Sequence, residues 1–347
     1  MAGLVNMSWR DYQQIVRAQA RELGIPAFGT FELTPLCNFN CKMCYVHLTP
    51  ERMHELGRLR TADEWLDMAR QASEAGMVGV TLTGGEVLTR PDFEEIYTGI
   101  AEMGLFISIL SNGSLIDERI VDLFRRIPPA HMRFTLYGAS NETYEGLCGV
   151  SDGFDRVMRG LRMLKDAEIG FTLSMTQTKL NIADYEQVHR IAEELGTSLI
   201  VGASLVPAVR GATSAARELQ VDAPIIPDSE TCPEVQLRTF PSRAECGPFA
   251  ACGSYRTSFW LDWDGRMNMC SFMSKNSVLP FEIGFSRAWD NLLVNLASLG
   301  NPAECKECSV GNNCHICPGL MEAETGSPEC AASRLCQSVR EAVNGVG

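Results

Sequence analysis

The chain has 347 residues, more than one hydrophobic core usually organises, so one large domain with an appendage is expected. Apolar residues make up 45% and charged residues 21%, enough for a substantial core, and no apolar run approaches the ~18 residues of a membrane span. The 30 Lys and Arg against 43 Asp and Glu give a formal charge of −13, which opposes a nucleic-acid backbone. Residues 1–24 lack the apolar segment of a signal peptide, so the expected address is cytoplasmic, with no membrane partner.

Residues 7–23 read as an amphipathic helix, with Ser8 as N-cap and Trp9, Tyr12, Val16 and Leu23 on one side. Strands are expected at 29–34, 78–83, 105–111, 131–137, 170–176 and 198–204. Helices fall between them, near 61–75, 91–103, 117–126, 153–167 and 183–195. Thr61-Ala62-Asp63-Glu64 has capping-box spacing, and Gly104 and Gly196 stand where helix C-caps belong. The strands read as nearly continuous apolar runs, as expected when both faces are covered. Six strands alternating with helices imply parallel βα units. A closed barrel needs eight, so the expected α/β fold is a partial, TIM-like (β/α)6 barrel.

From about 205 to 245 the rhythm stops, and Pro207, Pro224, Pro227, Pro233 and Pro241 mark a bridging segment. Beyond it, 258–261 and 267–270 flank Asp264-Gly265, a hairpin signal. The remainder is loop-rich and dense in cysteine, with too few apolar runs to hold itself without metal. The expected division is an N-terminal helical segment (1–27), a barrel (28–204), a bridge (205–245) and a small cysteine-rich domain (246–347).

The 14 cysteines, in a long chain without an export signal, point to metal or iron–sulfur ligation rather than disulfides. All but Cys148 and Cys232 fall into two groups, Cys37 to Cys44 and Cys246 to Cys336. In the first, Cys37-Asn-Phe-Asn-Cys41-Lys-Met-Cys44-Tyr45 follows the first strand directly. Three thiolates on one loop can hold three corners of a cubane [4Fe–4S] cluster and leave one iron open to a small molecule. A zinc site would pair its cysteines as C-x₂-C and need a fourth ligand, for which His47 stands nearby.

This C-x₃-C-x₂-C motif, with Thr83-Gly84-Gly85-Glu86 after the second strand, resembles the radical S-adenosylmethionine (SAM) superfamily. The resemblance implies that the open iron chelates the amine and carboxylate of SAM. The reduced cluster then cleaves SAM to methionine and a 5′-deoxyadenosyl radical, which abstracts a substrate hydrogen. It also casts Tyr45, Gly84, Gly85, Glu86, Ser111, Asn112 and Thr135 as cofactor-binding residues at the carboxyl ends of strands. The glycines admit close backbone approach and Glu86 can accept from an ammonium, although a turn uses such residues for steric reasons too. Relatives often carry an Arg, reaching the SAM carboxylate, where this chain has Cys148. Either another group holds the carboxylate or Cys148 serves the reaction as a thiol, unless it is simply a small buried residue.

The second group resembles the SPASM extension, whose cysteines hold two auxiliary [4Fe–4S] clusters. The resemblance assigns Cys246, Cys252, Cys270 and Cys317 to the first auxiliary cluster. It assigns Cys305, Cys308, Cys314 and either Cys330 or Cys336 to the second. Gly284 and Trp289 fit its linking segment. The Cys305–Cys317 pairs are too close together for a zinc ribbon, and His315 is expected at the solvent or the cluster edge. Superfamily members with two auxiliary clusters mostly modify peptides. The resemblance therefore implies a maturase of a ribosomal peptide, forming a thioether or carbon–carbon cross-link or an epimerised centre. A reducing partner such as flavodoxin or ferredoxin is implied as well. Residues 1–27 are too few for a leader-binding domain, so the barrel mouth or a separate leader-binding partner is expected to capture the peptide. Dehydrogenation or rearrangement of a small molecule is a second reading. Anaerobic sulfatase maturation is a lesser one, because Ser271 stands where its aspartate base is expected. A non-catalytic iron–sulfur carrier would have no use for Gly84-Gly85-Glu86.

Overall fold

Short strands joined by capped helices build the sheet that positions the site. The structure is a computed structural model describing residues 9–202, 204–222, 224–225 and 247–344. Helix α1 (Trp9–Leu23) precedes β1 (Phe28–Glu32). Then come α2 (Pro50–Leu56), α3 (Ala62–Glu74), β2 (Gly79–Thr83), α4 (Phe93–Glu102), β3 (Phe106–Ser111) and α5 (Glu118–Arg126). After β4 (His131–Thr135) follow α6 (Asn141–Cys148), α7 (Gly153–Asp166), β5 (Thr172–Thr176), α8 (Tyr185–Leu195) and β6 (Leu199–Gly202). Each of the six strands pairs in parallel with the next, as expected of a partial barrel.

Two more strands, β7 (Ser258–Leu261) and β8 (Met267–Asn268), extend this sheet beyond β1. β7 runs parallel to β1 and β8 returns antiparallel, giving the order β6-β5-β4-β3-β2-β1-β7-β8. The hairpin expected beyond the bridge is therefore part of the barrel sheet. Its Asp264-Gly265 turn needs the glycine, whose φ is +93°.

The strands alternate rather than run apolar throughout. Phe31, Leu82, Ile109 and Met132 lie side by side in register, all buried against the helical layer. On the opposite face Trp260, Thr30, Thr81, Ser108 and His131 form an adjacent polar row. An open barrel does not fill its interior with apolar side chains, so only its outer face needs the hydrophobic pattern.

Local signals set the helix ends. Thr61 and Glu64 form the reciprocal capping box of α3. Gly104 follows α4 at φ +76°, and Gly196 caps α8 at φ +71°. At the amino-terminal end of the strands, α1 packs Trp9 on Phe28 and Phe106. Its Arg17 lies over the Phe28 ring at 4.4 Å, and Arg21 donates to the Cys252 carbonyl at 2.9 Å. The expected N-cap Ser8 lies outside the described residues.

The main core runs from Phe31 to Leu296, so β7, β8 and the helices α10 (Pro280–Ile283) and α11 (Phe285–Ala297) pack with the barrel. Between β6 and β7, α9 (Ala216–Leu219) is a short helix in the described part of the bridging stretch. A second, small core unites Val310, Ile316, Met321, Ala332 and Val339 with α12 (Pro318–Thr325) and α13 (Ser333–Asn344). Among the described residues, no helix is long and apolar enough to cross a membrane.

Candidate active site

The loop after β1 carries Cys37, Cys41 and Cys44, and the fold holds it from two sides. Asn40 and Lys42 donate backbone N–H groups to the carbonyls of Cys148 and Leu147, both at 2.9 Å, which ties the loop to the end of α6. Val209 donates to the Tyr45 carbonyl at 3.0 Å and Ala215 to the Lys42 carbonyl at 2.7 Å, so the chain beyond β6 closes over it. The three thiols lie within electrostatic reach of one another. Burial, above all, pushes up Cys37 and Cys44; for Cys41 the first cause is a hydrogen bond with the Cys148 thiol, then burial. All three are free cysteines. Among the described residues, no three Cys, His or carboxylate side chains converge as ligands of a single metal ion. Three free, mutually close thiols on one loop fit the corners of a cubane, which spreads its ligands over several irons.

Gly84 and Gly85 are required by this loop. A Cβ at Gly84 would stand 2.4 Å from the Thr34 carbonyl oxygen, and one at Gly85 2.3 Å from that of Leu36. The close approach lets Gly85 donate to Thr34 at 2.7 Å and Glu86 to Leu36 at 2.9 Å.

The Glu86 side chain is fully buried and its carboxylate accepts from Ser111 Oγ at 2.8 Å, Asn112 N at 2.7 Å and Leu88 N at 3.0 Å. It therefore holds the end of β3 rather than offering an open acceptor. Asn112 passes the constraint on: its Nδ2 donates to Asn38 Oδ1 at 2.9 Å and reaches Cys37 Sγ at 3.8 Å. Asn38 in turn donates to Ser114 Oγ at 2.8 Å, which donates to Asn112 Oδ1 at 2.7 Å. Sequence reasoning missed Asn38 and Ser114. Their polarity between motif residues was the available signal, but their pairing spans 76 residues.

The lumen face supplies the rest. Thr135 stands 3.4 Å from Ser174 Oγ. Tyr45 packs edge-on against Phe272 and its hydroxyl bonds with Ser271; burial pushes it up to about 12. Beside it lies a buried ionic group that sequence reasoning also missed. Arg210 donates to Glu32 Oε2 at 2.5 Å and to the Ser271 carbonyl at 2.7 Å, and it pairs with Asp262 at 2.9 Å. Trp260 Nε1 adds a bond to Glu32 Oε2 at 3.2 Å, while the buried Glu32 Oε1 has no hydrogen-bond partner among the described residues. Burial raises both carboxyl groups, and Arg210 opposes the rise. A cavity of about 200 Å³, lined by Arg17, Thr30, Ser108, Trp260 and Cys270, runs along this face.

Cys148 is buried in the main core, its thiol against Cys41. Cys252, Cys270 and Cys317 lie within electrostatic reach of one another, and burial is the first cause pushing Cys270 up to about 12. Cys246 and Cys232 lie outside the described residues. Cys305, Cys308, Cys314 and Cys336 line a cavity of about 580 Å³ beside the small core. Cys330 is exposed and does not line it, and His315 is exposed. His47 is half-buried and held below the usual histidine range by burial.

A mostly parallel, open α/β barrel with three thiols above its first strand defines the class. Residues 31–192 match the model of the radical SAM superfamily, and a cysteine-rich C-terminal region follows them. It is 31% identical over 186 residues to the AdoMet-dependent heme synthase of Methanosarcina barkeri, covering 54% of this chain and 52% of that protein. It is 27% identical over 169 residues to the PqqA peptide cyclase of Gluconobacter oxydans, covering 49% and 46%. The chain thus spans about half the length of the curated relatives it matches. Among solved structures, Streptococcus suis SuiB bound to its precursor peptide SuiA superposes with a TM-score of 0.66 at 17% identity, over 97% of this chain and 83% of that one.

Proposed function

We propose that the protein is a radical SAM peptide maturase, in which Cys37, Cys41 and Cys44 hold a [4Fe–4S] cluster that binds SAM. The observation that carries this reading is the bonded set joining Cys37 to Asn112, Glu86 and the two close-packed glycines, since it fixes three strand ends around one thiol loop. With cluster and SAM bound, reductive cleavage supplies a 5′-deoxyadenosyl radical. The chain's own residues orient and enclose. Glu86 holds Ser111 and Asn112 in place, Asn112 steadies Cys37, and the polar lumen beneath Thr135 and Tyr45 receives the substrate.

The auxiliary thiols divide in two. Cys252, Cys270 and Cys317, with Cys246, would hold one cluster beside the lumen; Cys305, Cys308, Cys314 and Cys336 would hold the other in the larger cavity. Cys336 is preferred over Cys330 because it lines that cavity and Cys330 does not. Cys148 supports Cys41 rather than meeting substrate, since it is buried behind the loop. A peptide substrate is supported by the cyclase and the SuiA-bound neighbour. Electron acceptance by the auxiliary clusters fits cross-linking better than epimerisation. The working division is the helical segment 1–27, a radical SAM barrel at 28–204 whose sheet and core are extended by β7, β8, α10 and α11, the bridge 205–245 and, within 246–347, a small cluster domain beyond Leu296. Flavodoxin or ferredoxin is the proposed electron source, and the cytoplasm the proposed address.

The reading is tested by anaerobic reconstitution, followed by dithionite and SAM with a peptide whose carbon-bound hydrogens are deuterated. Deuterium in 5′-deoxyadenosine supports it, whereas cleavage of SAM without transfer from any peptide favours the second reading, chemistry on a small molecule. The heme synthase relative supports that second reading.

A further inference from the structure

Helix α1 lies against the segment that leads from Cys252 into β7, and two of its arginines make the contact. Arg17 and Arg21 are four residues apart, so they project from the same face of the helix. Arg21 Nη2 donates to the carbonyls of Cys252 at 2.9 Å and Gly253 at 3.0 Å. Arg17 Nη1 donates to Thr257 Oγ1 at 3.1 Å and to Ser258 Oγ. The segment grips back: Arg256 donates Nε to the Arg21 carbonyl at 3.1 Å, from a backbone held at φ +63°. Arg17 also lines the cavity of about 200 Å³ that reaches Cys270. Both guanidinium groups are half-buried and lie within electrostatic reach of the Cys252 thiol.

The sulfurs near these cations are gathered as one set. Cys317 lies within electrostatic reach of Cys252 and Cys270. A Cβ at Gly319 would stand 3.0 Å from Cys270 Sγ, so the bare glycine admits that sulfur against the first turn of α12. The oxygens that hold Arg17 and Arg21 here are neutral, so they fix the forks without cancelling their charge. We propose that Arg17 and Arg21 tune this thiol group, raising the reduction potential of an iron–sulfur cluster held by Cys252, Cys270 and Cys317. One-electron reduction adds negative charge to such a cluster, and the charge and hydrogen bonding around it set its potential. Two cations fixed on α1 favour the reduced form, and their partial burial weakens the screening that a surface charge meets. The tuning rests on the first auxiliary ligation proposed above.

The test is an anaerobic redox titration of the reconstituted holoprotein, followed by electron paramagnetic resonance, with iron counted on every sample. The wave that Cys270→Ser abolishes belongs to this thiol group. Arg17→Gln and Arg21→Gln are each expected to lower that reduction equilibrium about tenfold, which is 59 mV for a one-electron couple. The remaining waves and the iron count stay in place. Arg17→Lys and Arg21→Lys keep the charge and are expected to stay near the wild-type potential. An unchanged potential in both glutamine variants at full iron overturns the proposal. So does an equal shift in the glutamine and lysine variants, which would mark a purely structural contact. Should Arg17→Gln fail to take up iron, the Arg21 pair of variants carries the same comparison. If Cys270→Ser removes neither a wave nor iron, the ligation reading falls and the tuning proposal with it. The iron count tells that outcome apart from failure of the tuning alone.

Discussion

The Glu86 carboxylate accepts the backbone N–H of Asn112 at 2.7 Å, and Asn112 reaches Cys37 with its side chain. One carboxylate therefore fixes, through a single neighbour, where the first thiol of the loop stands. Glu86→Ala leaves Asn112 N and Ser111 Oγ buried and unpaired, at a cost of about 1–3 kcal/mol for each donor. Glu86→Gln retains one acceptor and costs less. The expected outcome is a thermally weakened Ala variant that takes up less iron than Glu86→Gln on reconstitution. Equal iron uptake by both variants, measured with their melting curves, would remove the positioning role.

Gly85→Ala tests the glycine pair in a different way. The new methyl would lie 2.3 Å from the Leu36 carbonyl oxygen, a backbone atom that cannot swing aside. Overpacking of this kind costs about 1–3 kcal/mol, and the relief available is a shift of residues 34–36, which lead into Cys37. On the proposed ligation, the prediction is loss of the absorbance of the cluster reconstituted at Cys37, Cys41 and Cys44, while any iron held by the C-terminal cysteines is retained. By contrast, Gly104→Ala meets open space, and its cost is confined to the positive φ of that helix end.

The parts of this design that sequence made legible are those with short spacing. The three cysteines, Gly84-Gly85-Glu86 and the Thr61–Glu64 capping box each act within a few residues, so their pattern survives in one dimension. The Glu86–Ser111 bond and the Arg210–Glu32 pair join residues 25 and 178 apart, and nothing local marks either member. Helix α6 was missed because its eight residues include Asn, Thr, Gly and Cys, all weak helix formers; the Ser140 cap and the left-handed Gly149 define it instead. The two-faced strands read as nearly continuous apolar runs because Leu110 puts an apolar residue on the lumen face and the threonines lining the lumen are also good strand formers.

Arg210 ties the segment beyond β6 to β1 and β7 through Glu32 and Asp262. Arg210→Met removes the only cation that, among the described residues, pairs with these two buried carboxyl groups, a change that typically costs about 3–5 kcal/mol. Both groups would then take up protons rather than stay charged. Because the same segment holds Tyr45 and Lys42 through backbone bonds, its release should also loosen the thiol loop. The expected signature is faster hydrogen exchange at residues 40–46 together with a lowered melting temperature. A lowered melting temperature with unchanged exchange at the loop would confine Arg210 to a stabilising role.

Cys330 and Cys336 are six residues apart, yet only Cys336 faces the cavity that Cys305, Cys308 and Cys314 line. A cubane held by four protein thiolates tolerates loss of one corner poorly, so Cys336→Ser should lower the iron of the purified protein by about four atoms per chain. Cys330→Ser should leave the count unchanged, since an exposed thiol outside the lining contributes no corner. The comparison uses anaerobic protein with iron and acid-labile sulfide measured on the same samples. The reverse pattern, with iron lost on changing Cys330, would require α13 to turn Cys336 out of the cavity and draw the 327–332 turn in, against the packing of Ala332 and Val339 in the small core. Loss in neither variant would mean that Cys305, Cys308 and Cys314 hold a cluster with one open iron. A second substrate- or cofactor-binding position would then lie in the C-terminal domain.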